Sequence, residues 1–486
     1  AVADILDGTA AITTAGDIAL GMALDAPPPG WRLANSEAAK PVMAALLAGD
    51  PVGLVADAGD PSWLIDSGAV FSEDAPLSVT LTASAALGSD SELVIYPAVL
   101  ALGVGCERGV EPSELMALVN DTLAAHNLAP DAVACVASLD FKADEQAVLN
   151  LGEELGVATR FFDAATLEGE TPRLANPSET VFAAVGCHGV AEAAALAAAG
   201  PEAWLVVAKT RSARATCAIA QSPAVIHAEN VGRARGHLAV VGIGPGGEGW
   251  RSPEASRLVA GASDLVGYGL YLDLLGPLAG GKTRHDFPLG DEEARVRVAL
   301  DLAAEGRHVA LVSSGDAGIY AMASLVFELL DRGDKDAWRR VEITVTPGIS
   351  ALQAAAARAG APLGHDFCAI SLSNLLTPWD AIKRRLEAAA TGDFVVALYN
   401  PVSQRRREVL PKARDILLGH RPDDTPVILA RNLGRHGEAV RTVDLAALDV
   451  DDVDMLTVVI VGSSRTRRVC GWVYTPRGYD AKNQAP

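Results

Sequence analysis

Residues 309–320 read Val309-Ala310-Leu311-Val312-Ser313-Ser314-Gly315-Asp316-Ala317-Gly318-Ile319-Tyr320. Residues 309–312 predict a buried strand, and a loop of small residues follows it directly. The same order recurs downstream at 341–345 before Thr346-Pro347-Gly348-Ile349-Ser350-Ala351, at 394–398 before Tyr399-Asn400-Pro401, and at 427–430 before Arg431-Asn432-Leu433-Gly434-Arg435. Such strands, alternating with helical segments, predict an α/β fold. Because ligands of open α/β sheets bind beyond the carboxyl ends of the strands, the four loops predict a ligand site.

The composition of these loops indicates the kind of ligand. Gly, Ala and Ser allow a flat molecule to reach backbone amides and carbonyls. Adenosine joined to an amino acid fits, since it needs amide donors for its carboxylate and carbonyl acceptors near a sulfonium. The alternative is that the loops are only tight turns, and four of them in series favour the ligand site.

Charge divides the chain of 486 residues into two parts. Residues 1–225 contain 9 basic and 29 acidic residues, whereas residues 226–486 contain 31 and 32. This contrast, and a length too great for one core, predict separate domains. Residues 221–236 predict the linker between them. The acidic part should repel nucleic acid and anionic membranes, so we expect neither as a partner.

Several classes of protein are disfavoured by composition. No apolar run free of charge is long enough to cross a bilayer. Asp4 and Asp7, without a basic start, argue against a signal peptide. The six cysteines are scattered and contain no C-x-x-C pair, which argues against a disulfide framework or structural zinc site. We therefore expect a cytoplasmic protein.

Three short motifs suggest other chemistry. Residues 242–247 satisfy G-x-G-x-x-G after a strand, but Pro245 has no amide to offer a pyrophosphate and the expected acidic residue is missing. Residues 276–283 match a phosphate-binding loop letter for letter, yet no helix can follow them, because Pro288 and Gly290 come next. Cys187-His188 lacks companion ligands at metal spacing. We therefore do not expect residues 242–247 to bind a dinucleotide. We interpret residues 276–283 as an accidental match and Cys187-His188 as structural, and we expect no metal.

The acidic part also alternates strands and helices. We predict a helix at 37–47 capped by Ser36, a strand at 51–56, an apolar run at 93–104, and a helix from Pro112 to about His126. Strands at 132–137 and 204–208 follow, and residues 209–216 are predicted to be a loop.

The C-terminal part has a specific resemblance. The segments that carry it are VVGIGPGG (240–247), FPLGDEEARVRVAL (287–300), VSSGDAGIYAMASL (312–325), ISLSNLLTPW (370–379), LYNPVSQRR (398–406), ARNLGR (430–435) and YTPRGYD (474–480). They resemble the precorrin-3B C-17 methyltransferase family of the tetrapyrrole methylases. This resemblance implies an α/β fold: a two-lobed class III methyltransferase, here preceded by one or two smaller α/β domains.

The resemblance also implies the roles of residues. S-adenosylmethionine would lie between the lobes, in contact with Gly315, Asp316, Ile319, Ser350, Ala351, Tyr399, Asn400, Asn432 and Thr457. The tetrapyrrole would face Gly242, Gly244, Pro245 and Gly246. Its carboxylates need cationic partners. Candidates are Arg431 and Arg435, with Arg441 and Arg405-Arg406-Arg407 as further possibilities.

The reaction implied for this family is methylation at carbon 17 with contraction of the ring, which converts precorrin-3B to precorrin-4. Orientation and exclusion of water carry most of such a methyl transfer. The contraction also needs proton transfer, for which Tyr268, Ser313, His285 and His436 are candidates, each with an equally plausible structural role. The alternative substrate is cobalt-factor III. Homodimers are common in this group, so a homodimer is expected.

Residues 1–225 have a second resemblance. The segments ITTAGDIAL (12–20), ALGVGCERG (101–109) and KTRSARATCAIA (209–220) resemble the cobalt-precorrin-5A hydrolase family, without its S-G-H-x-G-G-A-N stretch. The implied site residues are Cys106, Arg108 and Lys209. A bifunctional enzyme and a part that only binds tetrapyrroles are both open. The predicted domains are 1–92, 93–225, 237–346 and 347–486.

Overall fold

A computed structural model describes residues 20–479. The chain divides into two compact units. The first consists of the chain up to Arg235 together with the short segment Arg339–Val341, and the second consists of Gly236–Trp338 together with the chain from Glu342 onward. The expectation about a signal peptide concerns residues 1–19 and lies outside the described residues.

The first unit begins with a four-stranded sheet. Its elements are β1 (Trp31–Leu33), α1 (Ala39–Ala48), β2 (Gly53–Ala56), α2 (Ser62–Ile65), β3 (Ser78–Leu81) and β4 (Glu92–Pro97), with strand order β1-β4-β3-β2. The predicted cap at Ser36 is wrong: a 3₁₀ turn covers Ser36–Ala38, and the helix begins at Ala39 without a side-chain cap. Gly49 ends the helix in the left-handed conformation, as its position predicts.

A five-stranded sheet follows in the same unit. Its elements are β5 (Leu100–Cys106), α3 (Pro112–Ala125), β6 (Val133–Leu139), α4 (Gln146–Leu155), β7 (Ala158–Phe162), α5 (Ala164–Gly169), α6 (Glu179–Val185), α7 (Ala191–Ala199), β8 (Trp204–Arg211) and β9 (Ala215–Gln221). The order is β7-β6-β5-β9-β8. The predicted loop at 209–216 is largely wrong, because Thr210 and Arg211 pair with β9 in a hairpin. Thr210 and Arg211 are polar and lie on the edge strand β8, so the alternation of apolar and polar residues that predicts a strand is absent here.

The second unit starts with an all-parallel sheet, the N-terminal lobe. Its elements are β10 (His237–Gly242), α8 (Pro253–Gly261), β11 (Asp264–Tyr268), α9 (Gly269–Asp273), β12 (Thr283–Phe287), α10 (Glu292–Ala304), β13 (His308–Ser313), α11 (Met322–Arg332) and β14 (Glu342–Thr346). The order is β12-β11-β13-β10-β14. The central strands β10 and β13 are almost entirely apolar and buried, as a sheet covered on both faces requires.

The C-terminal lobe contains a mixed sheet. Its elements are α12 (Ala351–Ala359), β15 (Gly360–Ala361), β16 (Phe367–Ser371), α13 (Trp379–Thr391), β17 (Val395–Tyr399), α14 (Val409–Leu418), β18 (Pro426–Arg431), β19 (Ala439–Asp444), β20 (Thr457–Val461), β21 (Arg467–Val469) and β22 (Trp472–Tyr474). The main order is β16-β17-β20-β18-β19, and β15, β22 and β21 form a small sheet. Because β20 runs antiparallel to both β17 and β18, it starts at the edge where those strands end.

The apparent phosphate-binding loop at 276–283 has the structural role that we predict. A 3₁₀ turn covers Gly276–Ala279, and strand β12, not a helix, begins at Thr283. Lys282 Nζ donates hydrogen bonds to the carbonyl oxygens of Ala260 (2.7 Å) and Ala262 (2.6 Å). The lysine therefore caps the end of α8, where a cation is favourable.

Candidate functional site

Glycines bring the carboxyl ends of three neighbouring strands together. Gly242 ends β10, and Gly315 and Gly348 lie just beyond β13 and β14. A Cβ on Gly348 would lie 2.0 Å from the carbonyl oxygen of Gly315, and one on Gly242 would lie 2.7 Å from the same atom. Gly244 and Gly315 also exchange two backbone hydrogen bonds (3.1 and 2.8 Å). The glycines of the G-x-G-x-x-G segment thus serve close backbone packing.

A cavity of about 350 Å³ lies beside these loops, within the second unit. This is within the range of small-ligand sites, roughly 300–1,000 Å³. All nine residues predicted to bind the cofactor line it: Gly315, Asp316, Ile319, Ser350, Ala351, Tyr399, Asn400, Asn432 and Thr457. The loops after β13, β14, β17 and β18 therefore meet at one site.

The wall from the C-terminal lobe is shaped by two asparagines. Asn400 and Asn432 follow β17 and β18 with φ of 50° and 53°, a left-handed conformation that asparagine tolerates. Thr457 lies between them at the start of β20, and its hydroxyl donates to Asp454 Oδ1 (2.7 Å). The Tyr399 hydroxyl accepts a hydrogen bond from the amide of Leu352 (3.1 Å), and burial raises the pKa of Tyr399.

The wall from the N-terminal lobe depends on Asp316. Its two carboxylate oxygens accept hydrogen bonds from the amides of Gly318 (2.8 Å) and Gly348 (3.1 Å), so it holds two loops in register. Tyr320, which the sequence analysis did not select, also lines the cavity. Its φ of 52° is unfavourable for an aromatic residue. Its hydroxyl donates to the carbonyl of Ala369 (2.9 Å).

The candidates for binding the tetrapyrrole are divided by the structure. Pro245 and Arg435 line the cavity, and Arg435 Nε donates to the carbonyl of Pro245 (2.7 Å). Gly242, Gly244 and Gly246 are packed against backbone instead; a Cβ on Gly246 would lie 2.1 Å from the Gly434 oxygen.

The remaining arginine candidates lie away from the cavity lining. Arg431 pairs with Asp454 (2.6 Å), and Arg441 pairs with Asp452. Arg406 is buried and donates to backbone carbonyls, while Arg407 pairs with Asp451. Arg405 is exposed. Of all the arginine candidates for substrate binding, Arg435 is therefore the one that lines the cavity.

Of the four proton-transfer candidates, Ser313 alone lines the cavity. Its hydroxyl is buried, with no hydrogen-bond partner among the described residues. His285 Nε2 lies 2.9 Å from a carboxylate oxygen of the buried Asp264. Tyr268 packs edge-on against Tyr271 (ring centroids 5.2 Å apart). The main-chain carbonyl of His436 accepts a hydrogen bond from the Asn432 side chain.

The cavity also has lining residues that the sequence analysis did not select. They include Tyr271, Leu289, Glu292, Arg295, Ser314, Met322 and Met455. Most come from the region between α9 and α11, where helical periodicity does not show which face is turned toward a ligand. The segment FPLGDEEARVRVAL was the available signal, since it contains three of them.

In the first unit, Cys106 lies at the end of β5, and burial raises the pKa of its thiol more than nearby Lys142 and Arg108 lower it. Arg108 pairs with Asp144 (2.6 Å). Lys209, on β8, donates to the carbonyl of Asn176 (3.2 Å). Among the described residues, no hydrogen bond or ion pair joins the three candidates directly.

The Cys187-His188 pair has structural contacts. Cys187 is fully buried, and the His188 ring stacks on Phe182 (4.5 Å between centroids). His188 Nδ1 lies 3.0 Å from the carboxylate of Glu168. Within residues 20–479, no group of three or more His, Cys, Asp or Glu side chains is placed to hold a metal.

The His188–Glu168 pair should make the stability of the first unit depend on pH. The hydrogen bond between the side chains of His188 and Glu168 raises the pKa of His188 above the ordinary value of about 6.5. The stabilisation is therefore fully present below that value and is lost as pH rises through the raised pKa. NMR titration should show the raised pKa, and Glu168→Gln should return it toward the ordinary value. A titration unaffected by this substitution would contradict the pairing.

Two lobes, a parallel and a mixed sheet, and a cavity lined by their strand-end loops define a two-lobed α/β methyltransferase. Residues 237–449 match the family of Tetrapyrrole (Corrin/Porphyrin) Methylases, and residues 100–220 match the family Cobalamin synthesis G C-terminus. The chain belongs to the tetrapyrrole methylases, and its residues 100–220 are similar to the cobalamin synthesis G C-terminal family. Both resemblances drawn from the sequence are confirmed.

Curated relatives support this assignment. A precorrin-3B C(17)-methyltransferase of Sinorhizobium is 45% identical over 254 residues, 51% of this chain and 99% of that protein. A probable cobalt-factor III C(17)-methyltransferase of Salmonella typhimurium is 43% identical over 242 residues, 50% of this chain and 99% of that protein. The cobalamin biosynthesis protein CobIJ of Mycobacterium bovis is 44% identical over 262 residues, 51% of this chain. The chain spans about half the length of CobIJ.

No helix within residues 20–479 has the length and apolar character needed to cross a membrane.

Proposed function

We propose that the second unit transfers a methyl group from S-adenosylmethionine to carbon 17 of precorrin-3B, with ring contraction to precorrin-4, in cobalamin biosynthesis. The observation that carries this proposal is the cavity lined by all nine residues predicted to bind the cofactor. The Sinorhizobium relative, a precorrin-3B C(17)-methyltransferase, aligns over nearly its whole length. Family membership, the cavity and this relative therefore support the same reaction.

The lining of the cavity fits S-adenosylmethionine. Gly315 and Ala351 have little or no side chain, so a ligand beside them meets backbone groups. Thr457 is buried, and Tyr399 offers an aromatic surface. When bound, the cofactor supplies a methyl group on an electrophilic sulfonium. The protein then has to align the two reactants and exclude water, which contributes up to about 7–11 kcal/mol in well-aligned cases.

The buried hydroxyl of Ser313 is the best-placed group for moving a proton. It has no hydrogen-bond partner among the described residues, although such atoms are usually paired. A bound substrate could supply the missing partner. The serine would then donate or accept a proton at its Oγ, which lines the cavity.

This role predicts a specific behaviour of Ser313→Ala. The free protein should unfold at the same or a slightly higher temperature, because an unpaired buried hydroxyl costs free energy. Product formation should fall about 10²- to 10⁴-fold, the range of general acid–base catalysis. Thermal unfolding and single-turnover kinetics measure the two effects. A stable variant with normal turnover would show that Ser313 moves no proton.

The proposed reaction is tested by turnover with S-adenosylmethionine and either precorrin-3B or cobalt-factor III. Mass and absorbance of the products report methylation and ring contraction. Methylation of metal-free precorrin-3B with contraction is the expected result. Turnover of neither substrate, despite binding of the cofactor, would overturn the assignment.

A second candidate function is methylation of cobalt-factor III. The Salmonella relative, a probable cobalt-factor III C(17)-methyltransferase, is nearly as similar to this chain as the Sinorhizobium protein. Turnover of only the cobalt-containing substrate would favour this alternative.

For the first unit, we propose that it binds tetrapyrroles, with hydrolysis of cobalt-precorrin-5A as the alternative. The match of residues 100–220 to the cobalamin synthesis G family supports a role in the same pathway. Release of acetaldehyde from cobalt-precorrin-5A would favour the hydrolase. Domains at 1–92, 93–225, 237–346 and 347–486, a homodimer and a cytoplasmic location also remain proposals.

A further inference from the structure

Arg295 is a buried cation without a counter-ion among the residues that the structure describes. It projects from α10, and only 3% of its surface is exposed. Nη2 donates to the carbonyl of Pro288 (2.9 Å), Nη1 faces the sulfur of Met322 (3.8 Å), and Nε has no hydrogen-bond partner among the described residues. Within residues 20–479, no carboxylate oxygen lies within 4.0 Å of its nitrogens. Yet Arg295 lines the cavity.

A second arginine reaches the same part of the cavity. Arg435 lies over the ring of Tyr271 (5.7 Å) and donates to Ser314 Oγ (2.7 Å), again without a carboxylate partner in the described part of the chain. Burial raises the pKa of Tyr271, and Arg295, Arg435 and Tyr271 all line the same cavity. Glu292, which also lines the cavity, accepts a hydrogen bond from the amide of Gly290. Two guanidinium groups without a carboxylate partner in the described part of the chain therefore line one cavity.

A buried guanidinium is stabilised when an anion pairs with it, and its planar donors match a carboxylate. We propose that Arg295, together with Arg435, binds a carboxylate of an acetate or propionate side chain of the tetrapyrrole. This inference rests on the proposed function and adds a specificity determinant to it. The methionine carboxylate of the cofactor is the other possible source. The tetrapyrrole is favoured because the nine cofactor candidates come from the loops after β13, β14, β17 and β18 and from the start of β20, whereas Arg295 comes from α10.

The test compares Arg295→Met with Arg297→Met. Arg297 lies on the same helix but is one-third exposed and pairs with Glu293 (2.8 Å), so its substitution is a matched control. Affinity for S-adenosylhomocysteine is measured by calorimetry, and affinity for precorrin-3B by absorbance on protein saturated with S-adenosylhomocysteine. Arg295→Met should weaken precorrin-3B binding about 10- to 100-fold and leave S-adenosylhomocysteine binding unchanged. Arg295→Lys, which keeps the charge but not the planar donors, should lie between wild type and Arg295→Met.

Thermal unfolding of the free protein separates this role from a structural one. Arg295→Met should unfold at or above the temperature of the wild type, because it removes an unpaired buried charge. Weaker binding of S-adenosylhomocysteine alone would assign the carboxylate to the cofactor and overturn the inference. Precorrin-3B affinity equal to that of Arg297→Met would also overturn it, as would a lower unfolding temperature with both ligands weakened equally. The role of Arg295 and Arg435 is tested by binding affinity and not by turnover. A wild type that binds precorrin-3B without methylating it would therefore count against the proposed function alone.

Discussion

Gly348→Ala is expected to weaken binding of S-adenosylhomocysteine about 100-fold. A Cβ at this position would lie 2.0 Å from the Gly315 oxygen and 2.9 Å from the carbonyl carbon of Gly242. Both neighbours are backbone, so no flexible side chain can move away. The loops after β10, β13 and β14 must separate, and losing two or three hydrogen bonds of about 1 kcal/mol each to a bound ligand corresponds to roughly 100-fold in affinity. Overpacking should also lower the free energy of unfolding by roughly 1–3 kcal/mol.

Gly249→Ala is the matched control for this substitution. A Cβ on Gly249 would meet no atom within 4 Å, so binding and stability should remain close to those of the wild type. Calorimetric titration with S-adenosylhomocysteine and thermal unfolding measure both variants. Equal affinities of Gly348→Ala and Gly249→Ala would show that the contact of the three loops does not shape the cofactor site.

Asp264→Ala should destabilise the N-terminal lobe by about 1–3 kcal/mol, the cost of breaking the hydrogen bonds of a fully buried carboxylate. Its buried carboxylate lies 2.9 Å from His285 Nε2, 2.9 Å from Arg307 Nε and 2.7 Å from Ser263 Oγ. These contacts connect β11 to β12 and to the chain entering β13. Removing the carboxylate leaves the His285 ring, 24% exposed, without its hydrogen-bond partner, whereas Arg307 is 39% exposed and water can solvate its charge.

Hydrogen exchange at the amides of β11, β12 and β13 measures this effect, because it reports local opening in a chain of two units. Asp273→Ala provides the comparison. Asp273 pairs with Arg284 (2.9 Å), but 65% of its side chain is exposed, so its loss should cost less than about 1 kcal/mol. Similar protection in the two variants would contradict a structural role for Asp264 and would reopen a catalytic role for His285.

The positions of the cofactor candidates could be anticipated because the rule behind them is local. Gly315, Ser350, Asn400 and Asn432 each follow a predicted strand within a few residues, the first two in the parallel sheet and the last two in the mixed sheet. Ligands bind beyond the carboxyl ends of the strands in each such sheet. The family resemblance then selected the residues within the loops. Thr457 is different, since it begins a strand. It reaches the cavity because β20 runs antiparallel between β17 and β18, a pairing between distant segments.

The pairing and burial of the candidates for proton transfer and substrate binding could not be predicted from the sequence. His285 and Arg431 have suitable chemistry, but each is paired with an aspartate away from the cavity lining. Arg295 sits in a charged helical stretch that resembles a solvated face, yet it is buried and lines the cavity. Which partner an arginine or histidine finds depends on contacts between segments that the order of residues does not specify.

The α/β class, the division into two parts, the family and the strand-end loops could therefore be predicted from the order of residues. These follow from hydrophobic runs, charge distribution and short segments, all of which are local properties of the chain. Only the tertiary structure decided that Ser313, Arg295 and Arg435 share one cavity while Tyr268, His285 and His436 do not line it. Burial and pairing of polar groups depend on how sheets and helices pack against one another. Helical periodicity shows which face of a helix is buried, but not whether that face contacts the core or a ligand.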